Sequence, residues 1–358
     1  MKTSGEAGRP RSSGPIFFVF RNFSRGFVTV TQTQSSATMD ITIILCTYNR
    51  CEDLAGSLET IVASEMPNSF KWEVLVVDNN SADQTREVVE SFCQRYPARF
   101  RYLLEPEAGK SYALNAGIAN ARGEVLVFAD DDASMHPECL RHLAAALQDS
   151  EWAGVGGRIL PAQTFTPPHW MSDDLSKGGG ILCAYFDLGD KAGELDRPPY
   201  GANMAYRKSV FAKYGGFRTD LGPRPNSQIR NEDTEFGRRL LAAGERIKYE
   251  PSAVVYHPVP LERMTRKYFL AWWFDYRRAL IIERGNRPDI FGIPYDYFSF
   301  LRCVLGMPFT TLRWIFTISS AKRFWYKCQV WQAAGQIVEL CDRNRPRSKK
   351  NTPMLQKK

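Results

Sequence analysis

The chain has 358 residues, 44% of them hydrophobic and 24% charged, which excludes a disordered or collagen-like protein and leaves enough apolar surface for one or two globular domains. The net charge of +8 is unevenly distributed: residues 1–39 hold five basic and one acidic side chain, residues 40–258 hold 23 and 31, and residues 259–358 hold 19 and seven. An acidic body between basic ends argues against nucleic-acid binding and favours a catalytic domain that docks on an anionic surface through its C-terminal part.

The N-terminal stretch, residues 1–39, is rich in Ser, Thr, Gly and Arg. That composition is typical of a transit peptide, but translation that starts at Met39 would explain it equally well. In both cases we expect a disordered arm outside the fold.

Strands and helices alternate in the pattern from residue 41 to residue 160. Near-continuous apolar runs predict buried parallel strands, and apolar residues at helical spacing predict the helices between them. The predicted order is strand 41–45, helix 52–63, strand 73–77, helix 83–96, strand 100–104, helix 111–121, strand 124–129, helix 137–148 and strand 152–160. This alternation predicts an α/β fold with a mainly parallel sheet flanked by helices.

Polar side chains follow three of these strands. Thr47 and Tyr48 come after the first strand, Asp78 after the second, and Asp130-Asp131-Asp132 after the fourth. Because ligands of parallel sheets bind beyond the carboxyl ends of the strands, we expect these clusters to meet at one edge. Neither a G-x-G-x-x-G nor a P-loop motif occurs, which argues against a dinucleotide-dependent dehydrogenase and a P-loop NTPase.

The three consecutive aspartates are a candidate metal site. Close carboxylates repel one another, and a divalent cation such as Mg²⁺ or Mn²⁺, shared with substrate phosphates, relieves that repulsion. A solvated turn or a helix cap before Pro137 is the structural alternative.

A second acidic pair, Glu232-Asp233, opens a helical pattern. Acidic residues in the first turn of a helix complement its dipole, which is a purely structural role. However, the apolar residues Phe236, Leu240 and Leu241 predict a buried face that would turn one carboxylate inward. Such a carboxylate near a metal site is a candidate general base.

The C-terminal part, residues 259–342, mixes many aromatic residues with Arg and Lys. The pattern fits amphipathic helices in a membrane interface, and a helical cap packed on the catalytic domain is the alternative. No run of 18 uncharged apolar residues occurs, so no simple membrane-spanning helix is predicted. Residues 343–358 are predicted to be a basic, disordered tail.

Six groups of residues in the stretch 41–257 resemble, in order and spacing, the motifs of family 2 glycosyltransferases with the GT-A fold. The groups are CTYNR at 46–50, VVDNNSAD at 76–83, Gly109-Lys110 with ALNAG at 113–117, FADDD at 128–132, GANM at 201–204 with Arg207, and Glu232-Asp233. One departure is Cys46, where the family often has Pro or another small residue. The resemblance implies an inverting transferase that uses a nucleotide-sugar and a divalent metal held by an Asp-x-Asp type motif.

The resemblance also implies roles for individual residues. The nucleotide-binding set is Thr47, Tyr48, Asp78, Lys110, Asp130 and Asp131. Asp132 would be the direct metal ligand, and Asp233 the catalytic base. His257 is either a second metal ligand or an ordinary histidine. Asp78 could accept an imide N–H, which favours uracil, or merely cap the turn that follows it.

The acceptor side is less defined by the sequence. Residues 161–200 are expected to shape it, and Trp170, Tyr185 and Phe186 could stack on sugar rings or belong to the core. The expected acceptor is a hydroxyl of a glycan, lipid-linked or at the cell surface, as in polysaccharide biosynthesis. The eight cysteines form no Cys-x-x-Cys pair, which together with the basic C-terminal part predicts a cytoplasmic protein, peripheral at the inner face of an anionic membrane.

Two other functions compete with this interpretation. A sugar-phosphate nucleotidyltransferase also uses a nucleotide-binding α/β domain and acidic metal ligands, but it would need a Gly-rich basic loop where TYNR stands. A non-catalytic carbohydrate- or membrane-binding relative would have no need for Asp131, Asp132 and Asp233 together.

Overall fold

The computed structural model describes residues 39–163, 165–171, 179–225, 227–285 and 287–343. All but the last residue of the predicted arm 1–39, and all of the predicted tail beyond Arg343, lie outside the described residues. The strands are β1 (Met39–Thr47), β2 (Trp72–Asp78), β3 (Phe100–Leu104), β4 (Gly123–Asp130), β5 (Ser134–Met135), β6 (Gly154–Pro161), β7 (Gly193–Glu194), β8 (Met204–Arg207) and β9 (Ile247–His257). The helices are α1 (Cys51–Val62), α2 (Thr85–Arg95), α3 (Lys110–Asn120), α4 (Cys139–Ala146), α5 (Gly179–Cys183), α6 (Lys208–Tyr214), α7 (Glu232–Ala242), α8 (Arg266–Arg284), α9 (Tyr295–Phe316) and α10 (Ser320–Arg343).

The described strands form one sheet in the order β3-β2-β1-β4-β8-β6-β9-β5, with β7 paired to β9. The pairs β3-β2, β2-β1 and β1-β4 are parallel, whereas β8 is antiparallel to both β4 and β6. The predicted α/β fold with a mainly parallel sheet is therefore confirmed. Each of the predicted strands and helices between residues 41 and 160 is present, with ends shifted by a few residues.

The core lies on both faces of this sheet. Alternate residues of a strand point to opposite faces, and in β1 the side chains of Ile43 and Leu45 pack with α1 and α2 while Ile44 packs with α3. Every residue of β2 is buried. The near-continuous apolar runs in the sequence follow from this two-sided burial.

The predicted C-terminal helical extension is present as α8, α9 and α10. Trp170 attaches it to the sheet domain through edge contacts with Phe269 of α8 and Phe324 of α10, at ring distances of 5.2 and 4.6 Å. Gln336 of α10 joins the three helices, because its carbonyl accepts from Arg277 of α8 at 2.8 Å and its amide donates to Ser299 of α9 at 2.8 Å. Helices α8 and α10 thus form the packed cap that was one of the two alternatives.

Helix α9 differs from its neighbours because none of its residues is buried. Its large apolar side chains are widely exposed, among them Leu305 at 62%, Phe309 at 72% and Phe316 at 76%. Among the helices that the structure describes, none has the length and apolar character to cross a lipid bilayer.

Candidate active site

The C-terminal ends of β1, β2 and β4 open into a cleft of about 810 Å³. Eight of the nine residues that the sequence analysis proposed for the site line it: Thr47, Tyr48, Lys110, Asp130, Asp131, Asp132, Asp233 and His257. The expected meeting of polar strand ends at one edge is therefore observed.

Asp78 is the predicted residue that is missing from the described lining of the cleft. It is 2% exposed at the end of β2, where its carboxylate accepts the N–H of Ser81 and the hydroxyl of Tyr102, both at 2.9 Å. Its neighbour Asn79 lines the cleft instead and fixes the entrance to α3, accepting the N–H of Gly109 at 2.7 Å. The capping role considered for Asp78 is thus present in the structure.

A compact donor cluster is formed by Asp130, Asp132 and His257, each of which offers one atom within 4.8 Å of the others. The imidazole Nε2 of His257 lies 3.4 Å from Oδ1 of Asp132 and 3.9 Å from Oδ2 of Asp130. Local pairing explains this meeting of distant residues. The short strand β5 begins two residues after Asp132, and its Ser134 is paired with Tyr256, the residue before His257.

The tautomer of His257 follows from its other ring nitrogen. Nδ1 lies 2.9 Å from the carbonyl oxygen of Pro258, and because a carbonyl can only accept, Nδ1 carries the hydrogen. In the neutral ring, Nε2 then points a lone pair at the two carboxylates. A divalent cation between the three groups would accept this lone pair together with the carboxylate oxygens, so the donor set fits a metal. The hydrogen bond to Pro258 would hold the imidazole in orientation from its other side, as is usual for histidine ligands.

Three basic side chains surround the acidic cluster. Lys110 Nζ lies 2.7 Å from Oδ1 of Asp130, and Arg50 Nη1 lies 2.7 Å from Asp132 and 3.1 Å from Asp131. Arg263 Nη2 is 3.9 Å from Asp132. These positive charges offset part of the repulsion between the neighbouring carboxylates.

The pKa values of two of these carboxyls are shifted in opposite directions. Burial would raise the pKa of Asp130, but the charge and hydrogen bond of Lys110 together with the charges of other nearby cations outweigh it and lower the pKa to about 2. The effect of burial on Asp131 is larger than that of the nearby charge of Arg50, so its pKa rises to about 6. The adjacent side chains are therefore not equivalent: Asp130 stays an anion at neutral pH, while Asp131 is close to titration.

The two acidic residues at the start of α7, Glu232 and Asp233, also differ in their surroundings. Asp233 lines the cleft, and its two carboxylate oxygens accept the N–H groups of Gly201 and Thr234, both at 2.7 Å. Glu232 also lines the cleft but is only 4% exposed, 4.0 Å from Lys110 Nζ. Burial and the charge of Asp233 raise the pKa of Glu232 to about 7.

The aromatic residues proposed for the acceptor side separate in the structure. Trp170 and Phe186 are buried in the core, at 7% and 5% exposure, while Tyr185 lines the cleft. Sequence analysis missed the helix that supplies most of the aromatic lining. This helix is α8, and four of its aromatic residues line the cleft: Tyr268, Trp272, Trp273 and Tyr276. Three of them recur at every fourth residue and Trp273 is adjacent, which places all four on one face of a helix. That spacing could have indicated the aromatic face from the sequence.

Arg50 was missed as well, although it belongs to a motif that the sequence analysis singled out. Its position five residues after the predicted strand 41–45 was the only hint, because the partners Asp131 and Asp132 are more than 80 residues away in the chain.

Comparison with known proteins agrees with this fold. The sequence model of Glycosyl transferase family 2 matches residues 42–215. The succinoglycan biosynthesis protein ExoM of Rhizobium meliloti is 30% identical over 236 residues, which cover 66% of this chain and 71% of ExoM. The glycosyltransferase AglE of Haloferax volcanii is 28% identical over 231 residues, or 64% and 70% of the two chains. The fold is shared with the mannosyltransferase PcManGT of Pyrobaculum calidifontis, solved with GDP-Man and Mn²⁺, at a TM-score of 0.57 and 20% identity over 86% of this chain and 89% of that one.

Proposed function

Because the chain belongs to glycosyltransferase family 2, we propose that it is an inverting, metal-dependent enzyme that transfers a sugar from a nucleotide-sugar to a glycan hydroxyl. The single observation that carries this proposal is the cleft in which a donor cluster for a divalent cation and the carboxylate of Asp233 lie together. A UDP-sugar is the favoured donor, and a GDP-sugar, which PcManGT binds, is the alternative.

Asp130, Asp132 and His257 would hold Mn²⁺ or Mg²⁺. When bound, the cation supplies charge neutralisation for the nucleoside diphosphate leaving group. Lys110 is one of the three positive groups beside this cluster, and its pKa is raised because the charges of Asp130 and Glu232 and the hydrogen bond to Asp130 together outweigh the effect of burial. Lys110 therefore stays an ammonium and is suited to pair with a donor phosphate. Asp131 would contact the ribose, and Thr47 and Tyr48 would flank the base, with the half-exposed ring of Tyr48 (44%) free to stack.

Asp233 is the proposed general base. It would take the proton of the acceptor hydroxyl while the hydroxyl oxygen forms a bond to C1 of the donor sugar and the bond from C1 to the diphosphate oxygen breaks. One such displacement inverts the configuration at C1, and the nucleoside diphosphate leaves with the electron pair. Because Gly201 and Thr234 each donate to one of its oxygens, the carboxylate is fixed in orientation and still has lone pairs for the proton.

The acceptor is proposed to be lipid-linked, with the enzyme at the cytoplasmic face of an anionic membrane. Helix α9 supports this position, because its outward side chains are apolar and exposed. No Asp or Glu occurs between Asp296 and Glu339, a stretch that holds five Lys and Arg. An apolar face with only positive charges nearby is complementary to an anionic lipid surface.

A donor panel tests this function against its rivals. The full-length chain is incubated with UDP- and GDP-sugars and a glycan mixture, with Mn²⁺ or with a chelator, and the released products are identified. Metal-dependent release of nucleoside diphosphate supports the transferase. Pyrophosphate as the product would support a nucleotidyltransferase. If no product is released from any donor, a non-catalytic relative would be favoured.

A further inference from the structure

One wall of the cleft is an aromatic face of α8. Tyr268, Trp272 and Tyr276 recur at every fourth residue, and Trp273 lies beside them, so all four share one side of the helix. The rings of Trp272 and Tyr276 are nearly parallel, with 4.8 Å between their centroids and 14° between their planes. Each ring is half-buried and lines the cleft, which leaves part of its surface open to a ligand.

This wall belongs to the same cleft as the proposed base. Tyr200 lies beside Gly201, whose N–H is bonded to Asp233, and Tyr200 also lines the cleft. Asp233 and Tyr276 line this cleft together with Tyr200, so the three groups border the same cavity. A ligand held against α8 can therefore bring a hydroxyl to Asp233.

Flat, half-buried aromatic rings with polar edges recognise a specific shape. A pyranose ring has a face of C–H bonds that packs on an aromatic ring, while its hydroxyls project outward to polar partners. An isoprenoid phosphate has no such flat face at its reacting end.

Resting on the proposed function, we infer that the face formed by Trp272, Trp273 and Tyr276 is the acceptor subsite, and that it binds the pyranose ring of a saccharide. The enzyme therefore extends an existing glycan and does not attach the first sugar to a lipid phosphate. The chemistry of Asp233 agrees with this, because a phosphate acceptor is already an anion at neutral pH and needs no base. The acceptor must then be supplied by a preceding transferase that joins the first sugar to its carrier.

The subsite is tested by saturation-transfer NMR on the full chain with UDP or GDP and Mn²⁺. The probes are the methyl pyranosides of glucose, galactose, mannose and N-acetylglucosamine, with farnesyl phosphate as the isoprenoid phosphate. Trp272→Leu and Tyr276→Leu remove a ring but keep an apolar side chain. Tyr276→Phe restores the ring. Tyr297→Leu is the matched control, because Tyr297 is 57% exposed on α9 and is not among the described residues that line the cleft.

At least one pyranoside is expected to bind the wild-type enzyme through one ring face, with about tenfold weaker binding in both leucine variants of α8. Tyr276→Phe and Tyr297→Leu are expected to bind as the wild type does, and nucleotide affinity is expected to be the same in all variants. Unchanged pyranoside affinity in both α8 leucine variants, no pyranoside binding at all, or binding of farnesyl phosphate alone would each overturn the inference. A failure of UDP and GDP to bind the wild type would instead count against the proposed donor, while pyranoside binding alone decides the subsite.

Discussion

The Nε2 atom of His257 lies 3.4 Å from a carboxylate oxygen of Asp132, although 125 residues separate the two in the chain. The pairing of Ser134 with Tyr256 creates this contact. Strands β5 and β9 thus form both an edge of the sheet and the frame of the donor cluster, so the candidate metal site is part of the fold and not an addition to a loop.

Asp132→Ala is expected to abolish divalent-dependent transfer without unfolding the protein, because a carboxylate at a strand end is removed and no core cavity is made. Loss of a residue that only hydrogen-bonds to a metal ligand already lowers metal affinity or activity by ~10–100-fold, so loss of the ligand itself should lower them further. Activity is measured during a Mn²⁺ titration. Glu87→Ala, at an exposed position of α2, is the control and should match the wild type. Wild-type activity of Asp132→Ala at low Mn²⁺ would contradict the assignment.

Asp233→Asn is expected to lower the turnover number by ~10²–10⁴-fold, the usual contribution of a general base, while donor binding persists. The amide also loses one of the two backbone N–H bonds that the carboxylate accepts, so the melting temperature is recorded alongside the kinetics. The neighbouring Glu232→Gln is the comparison and should retain more activity. If Asp233→Asn raised only the donor KM and left turnover at saturation intact, Asp233 would have a binding role instead.

Because of Glu232, the free energy of unfolding is expected to decrease as the pH rises. Its pKa is about 7 in the folded chain against 4.5 in its ordinary state, so between these values the folded state binds more protons and unfolding becomes easier with increasing pH. The ceiling is ~3 kcal/mol, from about 1.4 kcal/mol per pKa unit. Asp131 acts in the same direction, because its pKa is also raised.

Urea melts between pH 4.5 and pH 8 check this expectation. Glu232→Gln should flatten the decline and be more stable than the wild type at the upper end. The control is Glu235→Gln on the same helix, where Glu235 is paired with Arg239 at 2.7 Å, and it should keep the decline. An unchanged slope in Glu232→Gln would show that this carboxyl is not the source.

The double variant Leu305→Glu with Phe309→Glu is expected to weaken binding to anionic vesicles by tenfold or more. Burying one such side chain contributes ~1.5–3 kcal/mol, and the new charges oppose insertion. Binding of the full chain is measured by co-sedimentation with phosphatidylcholine vesicles, with and without phosphatidylglycerol, at low and high salt. Leu261→Glu is the control, because Leu261 is 77% exposed and lies outside α9. Light scattering is run in parallel to measure the oligomeric state. If the wild type is a dimer that does not bind vesicles, and the double variant is a monomer, the exposed face of α9 would be assigned to contact with a second copy.

Gly123→Ala is expected to destabilise the protein by ~1–3 kcal/mol, the usual effect of inserting atoms into a packed core. A Cβ at residue 123 would lie 2.4 Å from the backbone nitrogen of Thr42, so strands β1 and β4 would have to separate. Gly56→Ala is the matched control in helix α1. Nothing lies within 4 Å of its added Cβ, and it should stabilise the protein by ~0.5–1 kcal/mol. Urea denaturation measures both, and equal midpoints would refute the close approach at Gly123.

The sequence by itself determined the α/β alternation and the meeting of polar strand ends. Apolar runs such as that of β1 identify strands buried on both faces, and the carboxyl ends of parallel strands necessarily share an edge of the sheet. That geometry is enough to bring Thr47 and Asp130 into one cleft. It does not fix which side chain points into the cleft: Asp78 accepts hydrogen bonds from Ser81 and Tyr102, while its neighbour Asn79 lines the cleft.

Only the tertiary structure decided which of the C-terminal aromatic residues line the cleft and which are exposed. Both α8 and α9 combine aromatic with basic residues, and local periodicity cannot tell which partner covers a helix face. Packing does so: Gly335 of α10 lies directly against the backbone of Phe274 in α8, and α10 covers one side of α9. The aromatic face of α8 is thereby directed into the cleft, while the outer face of α9 is left exposed, because burial of a side chain depends on contacts between residues that are distant in the chain.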